Sequence, residues 1–250
     1  MDATAIAEAA RLLSEARRTK VPAERLPAAS RPANVAEAVA IQRAIAADLH
    51  DSIAAWKIAL NSDFGLMRGG ILASRLYQSP AEIDALLMPT LGIEAEIAFR
   101  CDGEFPARAS ASSWSEIEER VTALVGMEVV HTRFREGTAI PVIERAADFM
   151  SNGCFVIGTI RPDWRGMDLA GLAGSVIING AAVVDRRVGA HATKDPLVPL
   201  IEMVNLLRGS EGLAAGQIVT TGTYTGVVNA KAGDRVEVLF DGFGKAEARF

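Results

Sequence analysis

The apolar residues in the first third of the chain recur at the spacing of amphipathic helices. Residues 3–19 predict one helix, whose apolar face is formed by Ile6, Ala9, Leu13 and Ala16. Asn34 predicts the start of a second helix, because Glu37 follows three positions later and completes a capping box. Residues 21–32 contain three prolines and predict a connector. We therefore expect residues 1–55 to form an N-terminal helical segment that packs on the rest of the chain.

After this segment the pattern changes to short apolar or alternating runs, which are typical of strands. The Asn-Gly pair at 179–180 suits the tight turn of a hairpin. Residues 61–90 are interrupted by glycine and proline and predict a loop. The predicted strands cover residues 55–60, 91–100, 127–134, 155–160, 176–184, 217–221, 234–240 and 245–250.

Only two further helices are predicted among these strands. One begins near Ser115 and keeps helical spacing of apolar residues as far as Val125. The other runs from Asp195 to about Arg208, where Gly209 stops it. Many strands with few crossover helices predict an α+β fold, with a mixed β-roll or barrel core in residues 56–250 that forms the catalytic domain.

Composition excludes several classes of protein. The 26 Lys and Arg residues against 31 Asp and Glu residues give a formal charge of −5, and no basic stripe suited to nucleic acid occurs. Two cysteines cannot form a disulfide framework or a zinc ribbon, and we expect both to be buried thiols. No apolar run long enough to cross a membrane and no secretory signal is present, so we expect a cytoplasmic protein without membrane or nucleic-acid partners.

Three glutamates are the first candidates for chemistry. Glu94 and Glu96 lie two positions apart in an alternating strand, so both carboxylates are expected on one face. Glu128 lies inside an apolar strand, where an unpaired carboxylate is costly. Three carboxylates without histidine or cysteine suit Mg²⁺ or Mn²⁺. The alternatives are that the first two are solvated, and that Glu128 forms a structural ion pair with Lys57 or Arg133.

Lys57 is the candidate acid or base. It lies between Trp56 and Ile58 in a predicted apolar strand, so we expect it to be partly buried. Burial lowers the pKa of a lysine, as a general acid or base at neutral pH requires. The alternative is a lysine on an edge strand that extends to water.

The order of these motifs resembles the fumarylacetoacetate hydrolase superfamily, and within it the branch of 2-keto-4-pentenoate hydratase and 4-oxalocrotonate decarboxylase. The helix at residues 34–42 is similar to the N-terminal motif of that branch. The resemblance covers nearly the whole chain from about residue 34. The segments that carry it are Ala55–Leu60, Ile93–Ala98, Met127–Val130, Thr221–Thr223 and Ala232–Val236.

The resemblance implies Mg²⁺ or Mn²⁺ held by Glu94, Glu96 and Glu128, with Lys57 as acid and base. It implies a substrate with a 2-oxo or 2-enol carboxylate that chelates the metal. The leading hypothesis is a hydratase that adds water to 2-hydroxy-2,4-dienoates or 2-oxo-3-enoates, such as 2-hydroxypenta-2,4-dienoate, in the breakdown of aromatic compounds. The resemblance also implies a homo-oligomer.

Several other positions carry the resemblance further or depart from it. Asp148 matches as a catalytic residue and Ser151 as a substrate-binding one, although Phe149 replaces the usual asparagine. The branch's aspartate after the lysine aligns with Asp63, or with Arg68 when fewer gaps are allowed.

An arginine at position 68 would suit a second substrate carboxylate. Thr223 resembles the hydrolase branch, where this threonine binds substrate oxygen. The alternatives are therefore decarboxylation or C–C hydrolysis of a 2-oxo acid, or a diverged protein that only binds such an acid.

Overall fold

The computed structural model describes residues 1–250 and contains five α-helices and thirteen strands in two sheets. The helices are α1 Ala3–Thr19, α2 Val35–Asp48, α3 Trp114–Glu119, α4 Val142–Ala147 and α5 Leu197–Leu207. The strands are β1 Ile53–Asn61, β2 Gly65–Leu72, β3 Leu76–Gln78, β4 Ala81–Glu82, β5 Leu91–Cys101, β6 Val121–Val130, β7 Asn152–Arg161, β8 Ala173–Ile178, β9 Ala181–Val188, β10 Ile218–Thr223, β11 Val228–Ala230, β12 Arg235–Phe240 and β13 Gly244–Arg249.

The larger sheet has eight strands in the order β2-β1-β10-β5-β6-β7-β3, with β11 also paired to β5. The smaller sheet has the order β4-β13-β12-β8-β9. Parallel and antiparallel pairs occur in both sheets. In the larger sheet β1 and β10 run parallel whereas β5 and β6 run antiparallel. In the smaller sheet β4 and β13 run parallel whereas β12 and β13 run antiparallel. The predicted α+β class with a mixed, curled sheet is therefore confirmed.

The two faces of β5 have different surroundings, and this difference positions the glutamates. Ile93, Ala95 and Ile97 are fully buried in the main core together with Val176 and Val238 of the smaller sheet. Alternation then directs Glu94 and Glu96 to the opposite face of the larger sheet. The apolar packing of one face therefore fixes the direction of the carboxylates on the other.

The N-terminal helices form a second apolar cluster. Leu13 of α1 and Ile41 of α2 pack there with Met67 of β2 and Ile143 of α4. The predicted cap of α2 is present, because Asn34 Oδ1 accepts a hydrogen bond of 2.9 Å from the Glu37 N–H. The Glu37 carboxylate binds the N–H of Ala33 and the chain's terminal ammonium instead of closing the box on Asn34. None of the helices combines the length and the apolar character that crossing a bilayer requires.

The prediction of a loop over residues 61–90 is wrong. Strand β2 lies inside that stretch and forms an antiparallel hairpin with β1, and the short strands β3 and β4 follow. Gly69 and Gly70 obscure the apolar pattern of β2, and the strand is buried on both faces near its end, so alternation is lost.

The helix predicted from Ser115 is also corrected. It is capped by Ser113 and ends at Glu119, and the apolar residues 121–125 belong to β6. A continuous apolar run is compatible with a buried strand as well as with a helix. Helix α4 and strand β11 are not predicted at all.

The predicted hairpin and the helix from Asp195 are confirmed. Asn179 and Gly180 have φ angles of 51° and 82°, as the tight turn requires. Helix α5 ends one residue before Arg208. Both cysteines are buried and free.

A turn of three left-handed residues lies next to β2. Phe149, Met150 and Ser151 have φ angles of 53°, 52° and 60°, a conformation that non-glycine residues rarely adopt. Gly69 lies against this turn, because a Cβ atom there would be 2.6 Å from the Phe149 carbonyl carbon and closer still to its oxygen. The absence of a side chain at position 69 therefore allows the turn to approach the sheet.

We predict that Gly69→Ala lowers the free energy of unfolding by about 1–3 kcal/mol, because the methyl group overlaps backbone atoms. Gly103→Ala is the control, since a Cβ atom there meets nothing within 4 Å. Urea denaturation of both variants checks the prediction. Equal stability of the two variants would contradict it.

Candidate metal centre

Three glutamates converge on one face of the larger sheet. Glu94 and Glu128 are direct partners in the register of β5 and β6, and Glu96 lies one pleat further along β5. One carboxylate oxygen from each lies within 4.8 Å of the others. The structure thus brings the three predicted residues together. Glu128 is 0% and Glu96 2% exposed, so the solvated alternative is wrong for Glu96.

Lys57 reaches the cluster from β1. Its Nζ lies 2.6 Å from Glu128 Oε1, and its side chain is 12% exposed. The same Oε1 accepts a hydrogen bond of 3.0 Å from Asn152 Nδ2. Lys57 therefore does not extend to water from an edge strand, and the ion pair with Glu128 that the sequence left open is present.

The second oxygen of Glu128 has no protein partner. Oε2 is fully buried and makes no hydrogen bond. A buried, unpaired carboxylate oxygen is costly, so a cation at this position would remove the cost. Together with the all-oxygen donor set, this atom shows that the residues fit a hard divalent cation such as Mg²⁺ or Mn²⁺.

Glu96 is oriented by β10. The Thr220 hydroxyl donates to Glu96 Oε2, and the Gly222 N–H donates to the same oxygen at 3.4 Å. These donors leave the other carboxylate oxygen, Oε1, without a hydrogen bond to the protein.

Burial dominates the electrostatics of the carboxylates. Burial and the charge of Glu128 raise the pKa of Glu94 to about 7. Burial, Glu128 and Glu94 raise the pKa of Glu96 to about 8. Protons therefore compete with a cation for these two side chains near neutral pH, since a metal binds the ionised form.

The expectation that the pKa of Lys57 is lowered is wrong. Burial does lower its pKa, but the combined attraction of Glu128, Glu94 and Glu96 outweighs burial, so the pKa lies above its ordinary value. Lys57 is thus an ammonium group beside three carboxylates. The sequence pattern indicates that Lys57 is buried, but it does not show that carboxylates lie close enough to raise its pKa.

An open cavity of about 580 Å³ lies beside the cluster. Lys57, Glu94, Ser151 and Arg145 supply its polar lining, and five apolar side chains complete it. Ser151, predicted to bind substrate, lines this cavity together with Lys57. Arg145 of α4 is not predicted, because nothing in its sequence neighbourhood marks a pocket. It makes no ion pair with a carboxylate.

Asp148 does not line this cavity. It is buried and forms an ion pair with Arg133, whose Nη1 donates to the Asn152 carbonyl at 2.7 Å. The N–H of Arg133 and the Thr132 hydroxyl donate to the other carboxylate oxygen. Both oxygens are therefore engaged by protein donors, and the structure does not place Asp148 at the carboxylate cluster.

The structure does not bring Arg68 or Asp63 to the carboxylates. Arg68 pairs in register with Ile58, and neighbours of Lys57 point to the opposite face of the strand. Its guanidinium lies 4.8 Å from the Trp56 ring centroid and 2.9 Å from Glu211. Asp63 is exposed in the turn between β1 and β2. In this structure, therefore, neither residue lies at the carboxylate cluster, because the hairpin of β1 and β2 places both away from it.

The Thr223 hydroxyl, expected to bind substrate oxygen, is engaged by the backbone of the following turn. Its hydroxyl oxygen accepts hydrogen bonds from the N–H groups of Thr225 and Gly226, and it does not line the cavity. His131 also lies outside this cavity. His191, which follows the hairpin of β8 and β9, is only 4% exposed.

The chain belongs to the fumarylacetoacetate hydrolase family. The family described as fumarylacetoacetate (FAA) hydrolase C-terminal matches residues 124–250, which is about half of the chain. A solved structure has the same fold as this chain. A 4-oxalocrotonate decarboxylase from Pseudomonas putida G7, complexed with magnesium and adipate, superposes with a TM-score of 0.86 at 21% identity, covering 100% of this chain and 98% of that one.

Curated relatives carry two kinds of name. A 2-keto-4-pentenoate hydratase 1 from Dechloromonas aromatica (strain RCB) is 33% identical over 51% of this chain and 48% of its own length. A 2-keto-4-pentenoate hydratase from Burkholderia vietnamiensis is 29% identical over 73% of this chain and 69% of its own. A 4-oxalocrotonate decarboxylase from Pseudomonas putida is 32% identical over 50% and 47%. The match thus spans about half the length of two of these three relatives.

We predict that Mg²⁺ stabilises the protein against heat and that Glu128→Gln removes most of this effect. A ligand that binds only the folded state raises the melting temperature, and a neutral amide in place of the Glu128 carboxylate lacks the charge that holds the cation. The affinity for Mg²⁺, measured by calorimetry, should fall at least about 100-fold, because losing a direct ligand costs more than losing a residue behind one. Glu104→Gln, an exposed acid, is the control. Unchanged Mg²⁺ affinity in Glu128→Gln would show that Glu128 does not bind the metal.

Proposed function

We propose that the protein is a divalent-metal-dependent hydro-lyase. It adds water to 2-hydroxy-2,4-dienoates or their 2-oxo-3-enoate tautomers, such as 2-hydroxypenta-2,4-dienoate, in the breakdown of aromatic compounds. The observation that carries the proposal is the buried cluster of Glu94, Glu96 and Glu128 with Lys57 beside it and Glu128 Oε2 unpartnered. The hydratase names of several relatives support it.

Glu94, Glu96 and Glu128 would hold Mg²⁺ or Mn²⁺. A divalent cation there supplies Lewis-acid stabilisation for the negative charge that develops on a 2-oxo acid. One solved structure with this fold, of the 4-oxalocrotonate decarboxylase from Pseudomonas putida G7, is described with magnesium. Another, of a fumarylpyruvate hydrolase from Pseudomonas aeruginosa, is described with Mn²⁺ and pyruvate. That structure has a TM-score of 0.56 at 17% identity over 78% of this chain and 88% of that one.

Lys57 would move the proton. Its ammonium lies in the cavity and is already hydrogen-bonded to Glu128, so it can donate to a substrate carbon and recover the proton later. Lys57 would donate a proton to C5 of the dienol and recover the proton that leaves the C2 hydroxyl, which gives the conjugated 2-oxo-3-enoate with no net change in protons. Water then adds across the C3–C4 double bond, with its oxygen at C4 and a proton at C3. One water is consumed and no second product forms.

Ser151 would bind substrate through its hydroxyl, since it lines the cavity. Asp148 would act as a positioning residue. Its ion pair orients Arg133, which holds the Asn152 carbonyl, and Asn152 donates to Glu128. Assembly as a homo-oligomer and a cytoplasmic location stay predictions.

A second candidate reaction is decarboxylation of a 2-oxo dicarboxylate. Arg145 favours it, because an arginine without a carboxylate partner lines the cavity and suits a second carboxylate. The structurally similar decarboxylase is described with adipate, a dicarboxylate. This role for Arg145 replaces the one expected for Arg68. C–C hydrolysis has no comparable support, because no histidine lines the cavity to act as the general base that activates water.

We predict that the wild-type protein removes the ultraviolet absorbance of 2-hydroxypenta-2,4-dienoate only when Mg²⁺ or Mn²⁺ is present. Lys57→Met should lower kcat by about 10²–10⁴-fold, because general acid–base catalysis contributes that much. Lys231→Met, which removes an exposed lysine, is the control.

Product analysis identifies the reaction, since hydration gives one hydroxy-oxo acid, decarboxylation releases CO₂ and hydrolysis gives two acids. Full activity in Lys57→Met would remove it from the mechanism. Binding of Mg²⁺ and oxalate without turnover of any acid would indicate a diverged binding protein.

We predict that Arg145→Gln weakens the binding of a dicarboxylate, 2-oxoadipate, by about 10–100-fold, because a charge-assisted hydrogen bond is lost. The binding of pyruvate, which has one carboxylate, should stay the same. Arg11→Gln, an exposed arginine of α1, is the control. Calorimetry in Mg²⁺ measures both acids. An equal loss for both would mean that Arg145 contacts the carboxylate common to them.

A further inference from the structure

The strand next to Glu96 is irregular where it meets the site. The pairing of β10 with β5 shifts register between Thr220 and Thr223, which we call the bulged segment. Within it the Thr220 hydroxyl and the Gly222 N–H both reach Glu96 Oε2, and the Thr221 hydroxyl donates to the Ile97 carbonyl at 2.9 Å. A regular strand would direct successive N–H groups alternately to the two neighbouring strands. The irregularity therefore supplies Gly222 as a donor to Glu96.

His191 binds the backbone of this bulged segment. Its Nε2 lies 2.9 Å from the Thr221 carbonyl oxygen, and its Nδ1 lies 3.3 Å from the Thr193 N–H and 2.9 Å from the Thr193 hydroxyl. A carbonyl only accepts hydrogen bonds, so Nε2 carries the hydrogen. A backbone N–H only donates, so Nδ1 is the acceptor. The partners thus define one neutral tautomer with both nitrogens satisfied.

The ring is held firmly in place. It is 4% exposed, and its centroid lies 5.1 Å from that of Tyr224, which packs in turn against Phe240. The side of the ring next to the bulged segment meets Gly222, where φ is +118° and a Cβ atom would be 3.3 Å from Nε2. Glycine at this position therefore suits both the backbone conformation and the approach of the imidazole.

His191 makes no direct hydrogen bond to the three glutamates, because both of its nitrogens are engaged by Thr221 and Thr193. Burial lowers the pKa of His191 more than the Thr221 carbonyl and the charge of Asp195 raise it, in agreement with a neutral ring. The ring does not line the cavity beside Lys57, so it does not reach a substrate there. Its contact with the site runs through the peptide that joins Thr221 to Gly222.

We propose that His191 is a positioning residue that holds Glu96 in the orientation needed to bind a metal ion, through the Thr221–Gly222 peptide. The Nε2–H anchors the Thr221 carbonyl, this fixes the plane of the peptide, and the N–H of that peptide then points at Glu96. The inference rests on the proposed metal site. Residues behind metal ligands commonly change metal affinity by about 10–100-fold when removed.

The test compares three substitutions at position 191 by calorimetric titration with Mg²⁺. His191→Gln can still present an N–H to the Thr221 carbonyl, and we expect it to bind Mg²⁺ nearly as well as the wild type. His191→Asn is too short to reach the carbonyl, and His191→Leu has no donor. Both should lose about 10-fold or more in affinity. The Asn variant answers the question even if the Leu variant does not fold.

Tyr224→Phe is the matched control. It removes the hydrogen bond of 2.8 Å from the Tyr224 hydroxyl to the Leu169 carbonyl, in the same buried cluster, and leaves the Thr221 carbonyl bound. We expect a lower melting temperature with unchanged Mg²⁺ affinity. A purely structural His191 would behave in the same way.

The outcomes separate this inference from the proposed function. If the wild type does not bind Mg²⁺, the metal site itself is wrong. If the wild type binds Mg²⁺ and His191→Asn binds it equally well, only the role of His191 is overturned. Equal losses in His191→Gln and His191→Leu would also overturn it, because the hydrogen bond would then not be the cause.

Discussion

Three carboxylates confined within 4.8 Å of one another impose the main constraint on this structure. At that separation and an effective dielectric constant near 20, each pair of ionised groups repels by about 3–4 kcal/mol. Lys57 compensates only part of this repulsion, because it binds one oxygen of Glu128. Protonation of Glu94 and Glu96, or a divalent cation, supplies the rest. The repulsion therefore lowers stability when neither is present, which is the physical basis of the proposed metal site.

The surrounding fold keeps these groups together by packing on the other side of the sheet. Apolar residues of β5 are fixed against the smaller sheet, so the strand cannot rotate its glutamates toward water. Close approaches of backbone and ring complete the arrangement. Gly69 makes room for the left-handed turn that carries Ser151, and Gly126 makes room for the Phe155 ring, which a Cβ atom there would overlap.

Two of the three glutamates have their own support. Asp148 and Arg133 hold the peptide of Asn152 behind Glu128. Thr220 and the bulged segment orient Glu96. Asp148 matches the family pattern as a catalytic residue, yet its contacts are those of a residue that positions others. Arg145, which the sequence does not mark, is a better candidate for substrate recognition than Arg68.

The sequence by itself determined the composition of the site: glutamates two apart in an alternating strand, a third in an apolar strand, and a lysine among apolar residues. It also determined the larger helices and the Asn179–Gly180 hairpin, because these depend on local spacing and turn chemistry. Tertiary structure decided the rest. The pairing of β1 with β2, and therefore the direction of Arg68, depends on a strand whose glycines hide its pattern. The pKa of Lys57 depends on charges from other strands, and the burial of His191 depends on packing against Tyr224. These are contacts between residues distant in sequence, which no local pattern encodes.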